Sequence, residues 1–237
     1  METLSLRKSL ERVDFAIFDF DGTIYPRLFL YDLAYNVFSV KNLSRNVDKL
    51  KKLESISNLY KEDKFKEAYL SFLDLLKLEK KQEFVQVTDK LVDNIYEYAK
   101  KTIGKLHEKY NLDIYLVSIT SSFIAEIVAK KLNLEGFEAV EFLTIKKEGE
   151  WLFDGKVQLE INDPEIMKKT LLTQLFSKVG NGKKFACFVN SEDDLPIIEK
   201  ASLKIGINPT KELLSKSKLD LIMVDDMDPW IKFYELL

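Results

Sequence analysis

The chain has 237 residues, a formal net charge of −3 and a pI near 5.5, so it holds one large domain or a core with a smaller companion. That charge excludes a general polyanion binder, while 46% hydrophobic and 32% charged residues permit a packed core and exclude wholesale disorder. A single cysteine, Cys187, and a single histidine, His107, rule out an internal disulfide framework and a multi-cysteine zinc site.

Met1 to Arg12 carry no apolar leader, and no run of about 18 apolar residues follows, so the expectation is a cytosolic chain without membrane or nucleic-acid partners. Val13 to Phe18 is a short apolar run ending at Asp19, which predicts a central strand of a parallel sheet. From Arg27 to Tyr110 the pattern becomes helical, with Phe84, Val87, Leu91, Ile95, Tyr98, Thr102 and Leu106 at spacings of three and four. No strand is needed there, so a helical insertion is expected between the first two sheet strands. Its aromatic residues (Tyr31, Tyr35, Phe38, Tyr60, Phe65, Tyr69, Phe72) are expected to form its core, with one or two facing a cleft.

Beyond the insertion, strands are predicted at Leu112 to Val117, Lys183 to Val189, Leu203 to Ile207 and Leu219 to Val224. Helices are predicted at Ser122 to Leu132, Pro164 to Val179, Leu195 to Ala201 and Lys211 to Ser217. This alternation specifies an α/β sheet with helices on both faces. Phe142 to Ile145 and Trp151 to Phe153 flank Lys147-Glu148-Gly149-Glu150, which predicts a small β-hairpin. Cys187 lies inside an apolar run and is expected to be a buried structural thiol.

Open α/β sheets place their sites beyond the carboxyl ends of the strands. Asp19-Phe20-Asp21-Gly22-Thr23 follows the first strand, and Ser118, Thr120 and Ser121 follow the second. Lys168 lies near the start of a helix, and Asn190 to Asp194 follow the third parallel strand. Paired carboxylates, a hydroxyl, a lysine and further oxygen donors suit phosphoryl transfer: hard oxygens hold Mg²⁺, while lysine and hydroxyl groups hold phosphate. Each piece alone is weak, since Asp and Gly also build turns and Ser also caps helices. Asp193 and Asp194 could equally charge a helix N-terminus, and Asp225-Asp226 reads as a solvated loop.

Together the pieces resemble the haloacid dehalogenase superfamily. Phe15 to Thr23 is similar to its first motif, an apolar strand followed by D-x-D-G-T. Tyr115-Leu116-Val117-Ser118 resembles the second motif, Lys168 the third, and Asn190-Ser191-Glu192-Asp193-Asp194-Leu195-Pro196 the fourth. The likeness covers about residues 12–24 and 105–237, and is nearest to the phosphoserine-phosphatase-like branch with a helical cap after the first motif.

The resemblance implies a Rossmann-like core of residues 1–26 and 105–237 and a cap of 27–104. It implies a Mg²⁺-dependent phosphatase acting on a small phosphorylated metabolite through an aspartyl-phosphate. Asp19 would be the nucleophile and Asp21 the general acid and base. Ser118, Thr120 and Lys168 would hold the phosphoryl group; the Asp19 carboxylate and the Asp21 backbone carbonyl would bind the metal, with Asn190 and Asp194 completing its side; Arg27 could contact an anionic substrate. Asn190 departs from the family's aspartate and should weaken metal binding. Leu28 stands about where phosphoserine phosphatases carry a glutamate that reads the substrate amine. A catalytically weakened member binding a phosphorylated ligand or protein, and a phosphotransferase, stay open as alternatives, as do pathway and oligomeric state.

Overall fold

A computed structural model describes residues 3–40, 43–62, 64–161 and 163–237. An N-terminal helix α1 (Thr3–Leu10) precedes strand β1 (Phe15–Phe18), and β1 is followed by helices α2 (Phe29–Val40), α3 (Leu43–Lys61), α4 (Phe65–Leu76), α5 (Lys81–Leu91) and α6 (Glu97–Tyr110). The chain continues through β2 (Asp113–Ser121), α7 (Ser122–Leu132), β3 (Gly136–Val140), the hairpin β4 (Phe142–Lys147) and β5 (Glu150–Val157), and α8 (Pro164–Val179). It ends with β6 (Phe185–Val189), α9 (Leu195–Lys200), β7 (Leu203–Ile207), α10 (Lys211–Lys216), β8 (Leu221–Met223) and α11 (Trp230–Leu236).

Six strands form one parallel sheet in the order β3-β2-β1-β6-β7-β8. Every residue of β1 and β6 is buried, as a central strand covered on both faces requires. Phe18 sits opposite Phe188 across these strands, their rings stacked at 4.2 Å. The two faces are covered by different helices: Phe18 stacks on Trp230 of α11, whereas Phe15 meets Phe176 of α8 edge-on. Strand order reverses between β1 and β6, so the crevice beyond their carboxyl ends is the place where such a sheet accepts ligands.

Three expectations change in detail. The helical periodicity from Phe84 to Leu106 is not one helix: a single 3₁₀ turn at Val92–Asn94 divides it, and the Tyr96 amide bonds the Ile24 carbonyl at 3.1 Å. Both halves still bury their apolar face, so the spacing runs through the break. Helix α6 runs unbroken across residues 104 and 105. Strand β3 was not anticipated; it pairs on one side only, and its Glu138 is buried against Lys178. Strand β2 extends to Ser121, so Ser118 and Thr120 lie within a strand rather than after one.

The hairpin turns through Glu148 and Gly149, both at positive φ, which suits Gly at the second position of a tight turn. It docks on the insertion, where the Leu78 amide bonds the Phe153 carbonyl at 2.9 Å and the Phe153 amide bonds the Glu79 carbonyl at 3.0 Å. Gly155 permits this approach: at φ +75°, a Cβ there would lie 3.3 Å from the Leu73 carbonyl oxygen. Among the described residues no helix is long and apolar enough to cross a membrane.

Candidate active site

Four chain segments converge at the crevice. Asp19 is the first residue beyond β1, its amide bonded to the Phe188 carbonyl at 3.0 Å, which fixes the carboxylate at the sheet edge. The following turn closes tightly: Gly22 donates to the Tyr25 carbonyl at 2.7 Å, and Ile24 and Tyr25 donate to the Phe20 carbonyl at 2.9 and 3.0 Å. Gly22 has φ +77°, and a Cβ there would stand 2.0 Å from Asn190 Nδ2, so only glycine lets the two loops meet. The Trp230 indole donates to the Thr23 carbonyl at 3.0 Å, so the last helix holds the turn from behind.

Lys168 is almost fully buried on α8 and is the electrostatic centre of the crevice. Its ammonium contacts Asp19 Oδ1, lies 2.8 Å from Asp194 Oδ1, and donates to the Val117 carbonyl at 3.1 Å. Burial works against its charge, but Asp19 and Asp194 outweigh that and hold its pKa above the ordinary lysine value. Asp19 Oδ2 accepts from Thr23 Oγ1 at 3.3 Å. Burial, reinforced by the Asp194 charge, lifts the Asp19 carboxyl to about 6 despite Lys168.

Asp21 faces the same cavity and accepts from the Phe29 amide at 2.6 Å, tying it to the amino end of α2. Burial, only partly offset by that bond and reinforced by Asp19, lifts its carboxyl to about 7. Ser118 is buried, and its Oγ accepts from the Thr120 amide at 3.2 Å. The pairing of β2 with β3 shifts register between Val117 and Ser121, an irregularity that re-aims side chains. Within it the buried hydroxyls of Thr120 and Ser121 have no protein partner.

The loop after β6 separates its two aspartates. Asp194 is fully buried; its Oδ2 accepts from the amides of Asn190 and Ser191 at 3.3 and 3.4 Å, and its Oδ1 faces Lys168. Asp193 instead lines the cavity, its carboxyl lifted to about 7 by burial and by Asp194, Glu192 and Asp19, against the opposing pull of Lys168. The sequence favoured Asp194 over Asp193, and the structure brings both to the site by different routes. Asn190 also lines the cavity, and its Oδ1 is buried without a hydrogen-bond partner.

Asp19, Asp21, Ser118, Thr120, Lys168, Asn190 and Asp193 all border one cavity of about 370 Å³ between the sheet edge and the insertion. That volume falls in the range of small-molecule sites. Arg27 borders it from a largely exposed position, with Nε 3.2 Å from Asp32 Oδ2. More of the insertion's aromatics reach the cavity than expected: Tyr31, Tyr60, Phe65, Tyr69 and Phe72 line it, and Tyr35 does not. The helical spacing marked them as apolar; which of them faced inward depended on how α2, α3 and α4 pack. His107 lies elsewhere, with Nδ1 3.6 Å from Glu135. Asp225 accepts from the amides of Met227 and Asp228 at 2.8 and 3.2 Å, shaping a loop.

A parallel sheet whose switch point carries a buried Asp–Lys pair and a second aspartate two residues on defines a hydrolase core of a known kind. A family model described as haloacid dehalogenase-like hydrolase matches residues 16–175, and the chain belongs to that family. No curated protein sequence matches it. Among solved structures it is similar to a protein with unknown function from Bordetella pertussis Tohama I, at TM-score 0.71 and 17% identity, over 88% of this chain and 97% of that one. It is also similar to a phosphoserine phosphatase in its apo form, at TM-score 0.64 and 20% identity, over 91% and 95% of the two chains. A phosphoserine phosphatase from T. onnurineus superposes at TM-score 0.62 and 17% identity, over 95% and 96%. At these identities the likeness is one of fold.

Proposed function

We propose that this chain hydrolyses a small phosphomonoester through an aspartyl-phosphate formed on Asp19, with Mg²⁺ bound beside it. The observation that carries the reading is the meeting of Asp19, Asp21, Ser118, Lys168 and Asn190, drawn from four separate segments, around one cavity. Lys168 pairs with Asp19 Oδ1, whereas Oδ2 accepts only a long hydrogen bond from Thr23 Oγ1 at 3.3 Å, so Oδ2 is the less tightly held oxygen and the one that attacks phosphorus. The bond from phosphorus to the ester oxygen breaks, and the leaving alkoxide takes its proton from Asp21. A carboxyl near 7 is half protonated at neutral pH and can give that proton. Asp21 then withdraws a proton from the water that attacks the aspartyl-phosphate, which releases phosphate, frees the Asp19 carboxylate and returns Asp21 to its protonated form. Lys168 offsets the charge accumulating on Asp19 and the phosphoryl oxygens. Ser118 and Thr120 hold those oxygens through their hydroxyls, and the unpartnered Thr120 hydroxyl is free to do so.

Among the described residues no three His, Cys, Asp or Glu side chains are arranged to hold a metal by themselves. The residues present still fit Mg²⁺. They are hard oxygen donors, and the Asn190 amide oxygen is a buried acceptor lacking a partner. The Asp19 carboxylate, the Asp21 backbone carbonyl and the Asn190 amide oxygen would hold the ion, and when bound it would neutralise phosphate charge beside the nucleophile. Asp194 supports that set from behind, because its oxygens are committed to Lys168 and to the Asn190 loop. Asp193 also lines the cavity and would add its charge to that set.

The test is phosphate release from an aryl phosphate and a panel of alkyl phosphates, with and without Mg²⁺, beside Asp19→Asn. Metal-dependent turnover that falls about a thousandfold or more in the isosteric variant is expected. Turnover equal in wild type and variant would overturn the assignment of Asp19. The neutral Asn190 favours a second reading, a weakened member that binds a phosphorylated ligand without turnover. Saturable phosphonate binding by a folded protein that releases no phosphate would select it, and transfer to added alcohols would select a phosphotransferase.

A further inference from the structure

The cavity has two chemically different sides. Its floor carries the charged and hydroxyl groups described above, whereas the insertion contributes Leu28, Ile56, Tyr60, Phe65, Tyr69 and Phe72. The aromatic residues form a connected wall: Tyr60 and Phe65 meet edge to face at 6.0 Å, and Phe65 and Tyr69 lie tilted at 5.4 Å. Tyr69 spends its hydroxyl on the Ile119 carbonyl at 3.2 Å, so it offers the cavity ring surface rather than a polar group. Tyr60 keeps its phenol neutral, because burial and the nearby Asp21 and Asp193 charges raise its pKa.

Charge on this side is scarce. Among the described lining residues the insertion supplies one charged group, Arg27, and that guanidinium is paired with Asp32 at 3.2 Å. No carboxylate of the insertion lines the cavity to receive an ammonium. Asp193 lies near Tyr60 as well as Lys168, and burial lifts its carboxyl to about 7, so it offers an ammonium only a partly ionised partner. A zwitterionic or polyhydroxylated alcohol would therefore lose more water on the wall side than the few tyrosine hydroxyls there replace. A ring would keep its contacts and bury apolar area.

Building on the phosphatase reading, we propose that the physiological substrate is a phosphomonoester of an uncharged alcohol bearing an aromatic ring. The ring lies against Tyr60, Phe65 and Tyr69. Specificity then comes from the insertion, and the chemistry from the sheet edge.

The experiment compares kcat/KM for benzyl phosphate, glycerol phosphate and phosphoserine, all alkyl esters, so that leaving-group activation does not imitate recognition. Benzyl phosphate is expected to lead the other two by about tenfold or more. In Phe65→Ala the benzyl-to-glycerol ratio should fall about three- to tenfold, the value of one lost ring contact. Phe65→Leu, which keeps apolar bulk, should recover only part of it. Asp19-dependent turnover with glycerol phosphate or phosphoserine ahead would overturn this inference and leave the phosphatase reading intact. Should no phosphomonoester be turned over, that reading fails, and calorimetric binding still decides the wall. Benzylphosphonate binding tighter than the phosphonate analogue of phosphoserine supports an aromatic ligand; the reverse order overturns it.

Discussion

Asn190 concentrates the chemistry of this molecule in one side chain. Its backbone amide is held by Asp194, its side chain packs against Gly22, and its amide oxygen is left unpartnered at the cavity. An aspartate there would add charge at the metal position with little change of shape. Asn190→Asp is expected to tighten Mg²⁺ binding about tenfold, read by titration calorimetry, and to lower metal-free stability because another carboxylate joins a crowded group. Unchanged affinity would remove Asn190 from the metal set. The carboxyls of Asp19, Asp21 and Asp193 sit at about 6, 7 and 7, above the ordinary 3.8. The folded chain thus holds these protons more tightly than the unfolded chain. Their contribution to metal-free stability is full below about pH 4 and is lost as pH rises through about 7. Asp193→Asn should gain thermal stability relative to wild type across that window and change no further above it. A flat difference across denaturation curves from pH 4 to 8 would contradict the raised carboxyl.

Elements hold this site in place mainly from the rear. Helix α11 brings Trp230 against Phe18 and Phe188 and bonds the Thr23 carbonyl, so the turn bearing Asp19 and Asp21 rests on a buried indole. Trp230→Phe keeps a ring but strands that carbonyl, at a cost of about 1–3 kcal/mol. Denaturant unfolding should show the loss, with kcat reduced because the turn loosens; unchanged stability would mean that the hydrogen bond contributes nothing. The same scale explains which elements were legible. Ser122–Leu132, Pro164–Val179 and Leu203–Ile207 match their predicted limits because caps, proline or apolar runs mark their ends locally. Strand β3 was not legible, since a short edge strand containing a buried glutamate owes its conformation to β2 and Lys178. The break between α5 and α6 was hidden because both helices bury the same spacing.

For the molecule as a whole, the cavity lies where the insertion meets the switch point of the sheet, so ligands there bind only the folded chain. Mg²⁺ at a hundred times its dissociation constant should stabilise it by about 2.7 kcal/mol. For a chain of this size that is a rise in Tm of about 5–10 °C. Asp19→Ala should lose most of the rise, and an equal shift in the variant would place the ion elsewhere. Phe84 of α5, Phe123 of α7 and Phe142 of β4 surround Phe153 of β5, and Phe38 of α2 and Tyr69 of α4 join this set through Phe84 and Phe142. The wall of the cavity is therefore carried by the same packing that stabilises the insertion.

Sequence by itself determined the parallel core, the helical insertion after β1, the hairpin, and the ordered motifs that brought Asp19, Asp21, Ser118, Lys168 and Asn190 into consideration. These features are written in local periodicity and in fixed spacings along the chain, which survive without knowledge of partners. Tertiary structure decided that Asp193 faces the cavity while Asp194 faces Lys168, and that Arg27 is paired with Asp32. It also decided which insertion aromatics line the wall. Side-chain direction in a loop, and the inward face of a packed helix, depend on what the neighbouring elements leave open, and that information is distributed over the whole chain.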